Sequence, residues 1–155
     1  VPANEEHILM AADYSQIELR VIAALAGDEA MISAFKNGED IHRATAAKVF
    51  EVAPEEVTRE QRSNAKTVNF GIVYGVSAFG LSQQTDMSRK EAKAAIDGYF
   101  RTYPGIKEYM DKQVAVARDK GYVETITGRR RYLKDIDSRN AVVRGHSERN
   151  DPVLS

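Results

Sequence analysis

Apolar positions recur along the chain with two different spacings, and the changes between them mark out the elements. After His7, the run Ile8-Leu9-Met10-Ala11-Ala12 leads into Asp13-Tyr14. A short continuous apolar stretch of this kind predicts a buried strand over 8–14 that closes on a carboxylate. "QIELRVIAALAG" then turns to helical spacing, with Ile17, Val21 and Leu25 on one face and Gly27 as the stop. Asp28 and Asp40 read as caps of two further helices, 29–36 and 41–51. Pro54 breaks the pattern, and Thr58 with Gln61 forms a capping-box signature that opens a helix over 59–75. Ser88 with Glu91 is a second such box, leading into "RKEAKAAIDGYFRTY". Pro104 ends that helix and starts the next, which runs to Lys120 before Gly121. "YVETITGRRRYL" reads as a hairpin around Thr127-Gly128, and 138–149 as a last amphipathic helix. The predicted class is α+β, predominantly α-helical, with one early strand and one late β-hairpin.

Composition changes this picture little. The 155 residues are 43% apolar and 29% charged, ordinary for one globular domain or for a piece of something larger. There is no cysteine, which excludes a disulfide framework and a thiolate metal site. No apolar run approaches the ~20 residues that cross a bilayer, and no charged-then-apolar leader opens the sequence. The expectation is a cytoplasmic chain with no membrane partner.

Charge is more informative. The net charge of −1 argues against a generic polyanion binder. Yet residues 112–149 hold ten Lys or Arg against five Asp or Glu, a local balance of +5, while the remainder holds twelve against eighteen, a balance of −6. Such asymmetry points toward a nucleic-acid-facing end, although a charge run is more often a solvated face.

The candidate chemistry lies in "RSNAKTVNFGIVYG", residues 62–75. Arg62, Lys66, Phe70 and Tyr74 are spaced by four, so they lie along one inclined stripe about 18 Å long. Two cations stand at one end and two aromatic faces at the other. A nucleoside triphosphate has the matching layout, anionic phosphates at one end and sugar and base at the other. Gly71 and Gly75 each cost a helix interior roughly 1 kcal/mol, and they leave room beside the aromatics for a base or another backbone. Solvated cations and core aromatics at helical spacing are the competing reading, and the helix alone leaves both open. In "ADYSQIELR", Asp13 falls at the predicted strand end, where side chains are presented to a cleft, with Glu18 five residues on. Asp13 is placed either to hold Mg²⁺ or to cap the helix that follows.

"DYSQIELR" together with "RSNAKTVNFGIVYG" resembles the first two signature motifs of the family A DNA polymerases, the bacterial DNA polymerase I group. "DIHRATAAKVF" (40–50) and "GYVETITGRRRYL" (121–133) match the same family in order and spacing, and the resemblance runs from His7 to Asn150. It implies one fragment of a polymerase domain over 1–155. Residues 7–27 would begin the palm, 28–120 would be fingers helices with the nucleotide-binding helix at 59–75, and 121–150 a hairpin and the start of the return to the palm. Residues 151–155 would be a divergent or non-native tail.

The implied reaction is template-directed transfer of a dNTP to a primer 3′-hydroxyl with two Mg²⁺ ions, in replication and repair. By resemblance, Asp13 and the Tyr14 backbone carbonyl hold metal. Arg62 and Lys66 hold the phosphates, with Lys66 also a proton donor to the leaving pyrophosphate. His42 is a further phosphate ligand, Phe70 packs on the sugar, and Glu18 gates the ribose 2′ position beside Gln16. Tyr74 and Gly75 face the base pair and template, and Arg130 and Arg149 face the DNA backbone. The implied partners are primer-template DNA, dNTP and the rest of the polymerase domain, for a monomer in a bacterial cytoplasm at the nucleoid.

The sequence also departs from the family. The second metal carboxylate comes there from a downstream His-Asp-Glu turn, and the nearest string here, "HSE" at 146–148, has serine in the middle. After Asn150 the family pattern continues toward Ala-Pro-x-Gln, whereas this chain reads "DPVLS". The expectation is therefore a fragment without thumb or exonuclease that does not polymerise alone, its 8–14 strand marginal for want of sheet neighbours. A non-catalytic nucleotide- or DNA-binding module and an unrelated helical interaction domain are the alternatives.

Overall fold

The computed structural model describes residues 6–138. Their order is α1 (Ile17–Ala26), α2 (Glu29–Lys36), α3 (Ile41–Val49), a short 3-10 helix (Pro54–Glu56), α4 (Arg59–Val73), α5 (Ala78–Gln84), α6 (Arg89–Thr102), α7 (Pro104–Lys120), β1 (Tyr122–Glu124) and β2 (Arg130–Tyr132). The expected class holds: helices dominate, and the strands form a two-stranded antiparallel sheet. The helix expected over 138–149, apart from its first residue, and the tail at 151–155 lie outside the described residues. Among the described residues no helix is long and apolar enough to cross a membrane.

Local capping sets most boundaries. Asp28 accepts from the Met31 N–H at 3.0 Å, and Asp40 from the His42 and Arg43 N–H groups at 3.1 Å each. Thr58–Gln61 and Ser88–Glu91 both close complete capping boxes. Asp28 is buried, and its second oxygen accepts from the Gly105 N–H at 3.0 Å, so one carboxylate closes the starts of α2 and α7. In the hairpin, Tyr122 pairs with Tyr132 and Glu124 with Arg130 around the expected turn. Ala117, Val123, Leu133 and Ile136 seal it against α7.

The main core joins α1, α2, α3, α4 and α6 through Leu19, Ile22, Met31, Ile41, Val68, Ile72 and Tyr99. Burying each such side chain contributes about 1.5–3 kcal/mol relative to exposure. Between α3 and α4 the contact is made by small residues, Ala46, Ala47 and Ala65, with Val57. Small residues let the two helices approach closely, and that approach brings the start of α3 against the middle of α4.

Three expectations give way. Residues 8–14 form no strand: Ile8, Leu9 and Met10 are 89%, 72% and 88% exposed. An apolar run becomes a buried strand only where neighbouring strands take up its N–H and C=O groups, and none does so among the described residues. Asp13 does not cap α1 either. Gln16 holds the N-cap position in a left-handed conformation (φ 54°), without a side-chain cap bond.

The third concerns the end of α4, which stops at Val73 and not at 75. Tyr74 is its C-cap, and Gly75 turns left-handed at φ +69°. The Gly75 N–H donates to Ile72 O at 3.0 Å and the Val76 N–H to Gly71 O at 2.7 Å, the paired bonds of a Schellman ending. Likewise α3 ends at Val49, two residues early. α5 is an addition, in a stretch where the apolar pattern predicts no element; the Ser77 hydroxyl accepts from the Gly80 N–H at 3.2 Å.

Candidate functional site

The four-residue spacing on α4 does what it predicts for three side chains. Lys66, Phe70 and Tyr74, with Gly75, line one cleft of about 700 Å³, within the range of small-molecule sites. Lys66 is exposed, Phe70 half-buried and Tyr74 63% exposed, so a cation leads and two aromatic rings follow along an open wall. The competing reading, in which both aromatics are core, fails at Tyr74. Phe70 is partly sequestered, its ring centroid 5.8 Å from that of His42.

Both glycines have reasons internal to the fold. A Cβ at Gly71 would lie 2.5 Å from Val76 Cγ1, so the helix ending folds back into space that only glycine leaves. Gly75 supplies the positive φ of the same turn. They also border the cleft, but the turn by itself requires them.

Arg62 stands at the other end of the stripe. Its Nε donates to Asp40 Oδ2 at 2.7 Å, an ion pair between α4 and the N-cap of α3. A guanidinium carries five N–H donors, so this bond leaves others for an anion. Partial burial pushes the Asp40 carboxyl up. The Arg62 hydrogen bond and charge and the N–H groups of Arg43 and His42 outweigh it and hold the carboxyl below the usual range.

His42 is buried at 3% exposure, not an open phosphate ligand. Its Nδ1 lies 3.0 Å from Asn69 Nδ2, and its Nε2 is covered by the Gln16 amide at 3.4 Å. Burial lowers its pKa; Asp40 opposes this, and the charges of Arg62 and Lys66 add to it, so the ring is neutral near pH 7. Behind it runs a buried polar chain. Thr45 Oγ1 donates to Ile41 O at 2.7 Å and accepts from the Tyr103 hydroxyl at 3.0 Å, and Asn69 Nδ2 reaches Thr45 Oγ1 at 3.3 Å.

The remaining predicted residues are not gathered at the cleft. Asp13 and Tyr14 lie on the exposed segment before α1, and Glu18 is half-buried in its first turn. Among the described residues no group of three or more His, Cys, Asp or Glu is placed to hold a metal ion. Asp13 with the Tyr14 carbonyl therefore does not make up a two-metal site. Arg130 is engaged within the hairpin: its Nε donates to Glu124 at 2.7 Å and its guanidinium lies 4.8 Å from the Tyr122 ring centroid. Arg149 lies outside the described residues.

Three participants escape the motif reading: Asp40 as the partner of Arg62, and Asn69 and Thr45 behind His42. Asn69 carried the one available signal, a polar residue between Val68 and Ile72 on the apolar face of α4.

Comparison with known proteins adds a consistent set of likenesses. A model of DNA polymerase family A matches residues 1–151. DNA polymerase I of Streptococcus pneumoniae serotype 4 is 57% identical over 157 residues, covering 99% of this chain and 18% of that protein. DNA polymerase I of Geobacillus stearothermophilus is 52% identical over 156 residues, with the same shares. A solved structure, the POL domain of Pol1 from M. smegmatis in complex with DNA primer-template and dNTP, superposes with a TM-score of 0.82 at 44% identity. That match covers 91% of this chain and 25% of the solved one. The chain thus spans under a fifth of the length of these curated relatives.

Proposed function

The chain belongs to DNA polymerase family A, and from that premise we propose that it contributes the nucleotide-binding part of a DNA-directed DNA polymerase. The observation that carries the proposal is the cleft in which Lys66 and Phe70 of α4 and Tyr74 at its C-cap follow one another, with Arg62 and His42 beside it. In this reading Lys66 and Arg62 take the phosphates of an incoming dNTP and offset charge that develops on the leaving pyrophosphate. Phe70 packs on the sugar, and Tyr74 and Gly75 lie at the base and template. His42 joins the phosphates once the Gln16 amide moves aside. Glu18 stands near the sugar, and Arg130 and Arg149 face the duplex backbone, where contacts position without reading sequence.

The domain reading follows: 7–27 opens the palm, 28–120 forms the fingers and 121–150 leads back. Family A polymerases use divalent metal ions, and Asp13 with the Tyr14 carbonyl would be this chain's contribution to holding Mg²⁺. Primer-template DNA, dNTP and the remaining polymerase subdomains are the partners, for a monomer in the bacterial cytoplasm. The dNTP and primer-template in the M. smegmatis complex support both ligands.

A second reading has its own support. With no metal-holding cluster among the described residues, the chain can be a module that binds nucleotide without chemistry. Titration with dATP and Mg²⁺ tests what the two readings share. Binding by the wild type that falls more than tenfold in Lys66→Ala supports the cleft, and equal signal from both proteins overturns it.

A further inference from the structure

His42 makes an unusual demand on its neighbours. Two amide nitrogens face its two ring nitrogens, Asn69 Nδ2 at Nδ1 (3.0 Å) and Gln16 Nε2 at Nε2 (3.4 Å). A neutral imidazole accepts at one nitrogen and donates at the other, so only one of these amides can be the donor.

The surroundings decide which. Asn69 is fully buried on α4, and Thr45 Oγ1 lies 3.3 Å from both its Nδ2 and its Oδ1. The single Thr45 hydrogen goes to Ile41 O at the much shorter 2.7 Å, which leaves Oγ1 as an acceptor toward Nδ2. Asn69 Nδ2 thus has two acceptors at hand, Nδ1 of His42 and Thr45 Oγ1. Gln16 is half-buried, on a longer side chain and at the longer distance, and a half-turn of its amide presents Oε1 to Nε2–H. We propose that Asn69 is a positioning residue: it holds His42 in the tautomer protonated at Nε2, so that the ring offers a donor to a nucleotide phosphate. The phosphate half of this rests on the nucleotide reading given above; the tautomer half does not. The charged groups acting on the ring are Asp40, Arg62 and Lys66. Burial disfavours an imidazolium, and the two cations add to it against the opposing charge of Asp40; this leaves the tautomer as the property that Asn69 controls.

Without Asn69, Nε2 is free to become an acceptor, which repels a phosphate oxygen. Gln16 is then a placeholder: its amide occupies Nε2 until an anion displaces it.

The test is the carbon and nitrogen chemical shifts of the His42 ring in the 155-residue chain, read in the wild type and in two variants, beside dATP titration. The wild type is expected to carry its proton on Nε2. Asn69→Asp, which can only accept, is expected to move that proton to Nδ1 or to raise the pKa of the ring. Asn69→Ala is expected to mix the tautomers and weaken dATP binding about fivefold, the worth of one neutral hydrogen bond. A wild-type ring protonated at Nδ1 overturns the proposal even if neither variant folds. So does a folded Asn69→Asp chain with tautomer and pKa unchanged. The expected tautomer in a wild-type chain that binds no dATP instead sinks the nucleotide reading, and with it the phosphate role of Asn69.

Discussion

Arg62 and Asp40 are 22 residues apart in sequence and 2.7 Å apart in space, Nε donating to Oδ2. The same carboxylate caps α3 through its other oxygen, so the first cation of the stripe is tied to the element that carries His42. Both side chains are about two-fifths exposed, 41% and 37%. An ion pair at that exposure is worth ~0.2–1 kcal/mol, while loss of an N-cap costs ~1 kcal/mol. Asp40→Ala is therefore expected to destabilise by about 1–2 kcal/mol and Arg62→Ala by less than about 1 kcal/mol, measured by urea unfolding. Equal losses in the two variants would mean that the cap contributes nothing. Because the folded Asp40 pKa is lowered, its contribution is complete above the ordinary carboxylate value of about 3.9 and is lost as pH falls through the lowered folded value.

Gly71 and Val76 give a second prediction. Overpacking of a tight contact costs ~1–3 kcal/mol, and a Cβ at 71 would sit 2.5 Å from Val76 Cγ1. Gly71→Ala is expected to lose stability in that range, and Val76→Ala in the same chain to restore part of it. An additive double variant would show that Val76 is not what excludes the methyl.

The depressed pKa of His42 fixes the sign of a pH effect. Burial disfavours the charged ring in the folded chain, whereas the unfolded ring takes up a proton below about pH 6.5. Above that value neither state is protonated and stability is complete. As pH drops further, the unfolded state binds more protons and stability declines, until the folded pKa is passed. The urea midpoint of the wild type is expected to fall between about pH 7 and pH 5 more steeply than that of His42→Gln. Parallel slopes would contradict a buried neutral ring.

How much of this was legible in the sequence depended on distance along the chain. Both capping boxes, the caps Asp28 and Asp40, the Pro104 junction and the hairpin at Thr127-Gly128 each involve residues within a few positions, and all stand as read. The stripe was legible because helical geometry alone places Lys66, Phe70 and Tyr74 in one line. The contacts that decide the site were not: Asn69 meets His42 across 27 residues and Thr45 meets Tyr103 across 58, and no local pattern encodes such pairs. The 8–14 strand failed for a related reason. Its apolar run states a preference for burial, but pairing partners lie elsewhere in sequence, and the described residues supply none.

That segment yields a fourth prediction. Residues 8–14 are exposed and in neither helix nor strand, while Val68, Ile72 and Tyr99 lie in the core. Amide exchange over 8–14 is expected at nearly the unprotected rate, with the core amides slower by several orders of magnitude. Strong protection of Ile8 to Ala12 would require a pairing partner outside the described residues.

The last prediction separates binding from chemistry. Two-metal nucleotidyl transfer needs carboxylates that face each other across a pair of ions about 4 Å apart. The described residues offer Asp13 on an exposed segment and no cluster able to hold a metal. The phosphate contacts proposed for Arg62 and Lys66 need no such partner, because both residues are already placed on α4. With Mg²⁺, a primer-template duplex and all four dNTPs, the 155-residue chain is therefore expected to give no primer extension while still binding dATP. Template-dependent extension would mean that a second carboxylate is supplied from outside the described residues. Absence of dATP binding as well as extension would instead sink the nucleotide reading of the cleft, leaving Arg62 as the ion-pair partner of Asp40 and Lys66 as a solvated charge.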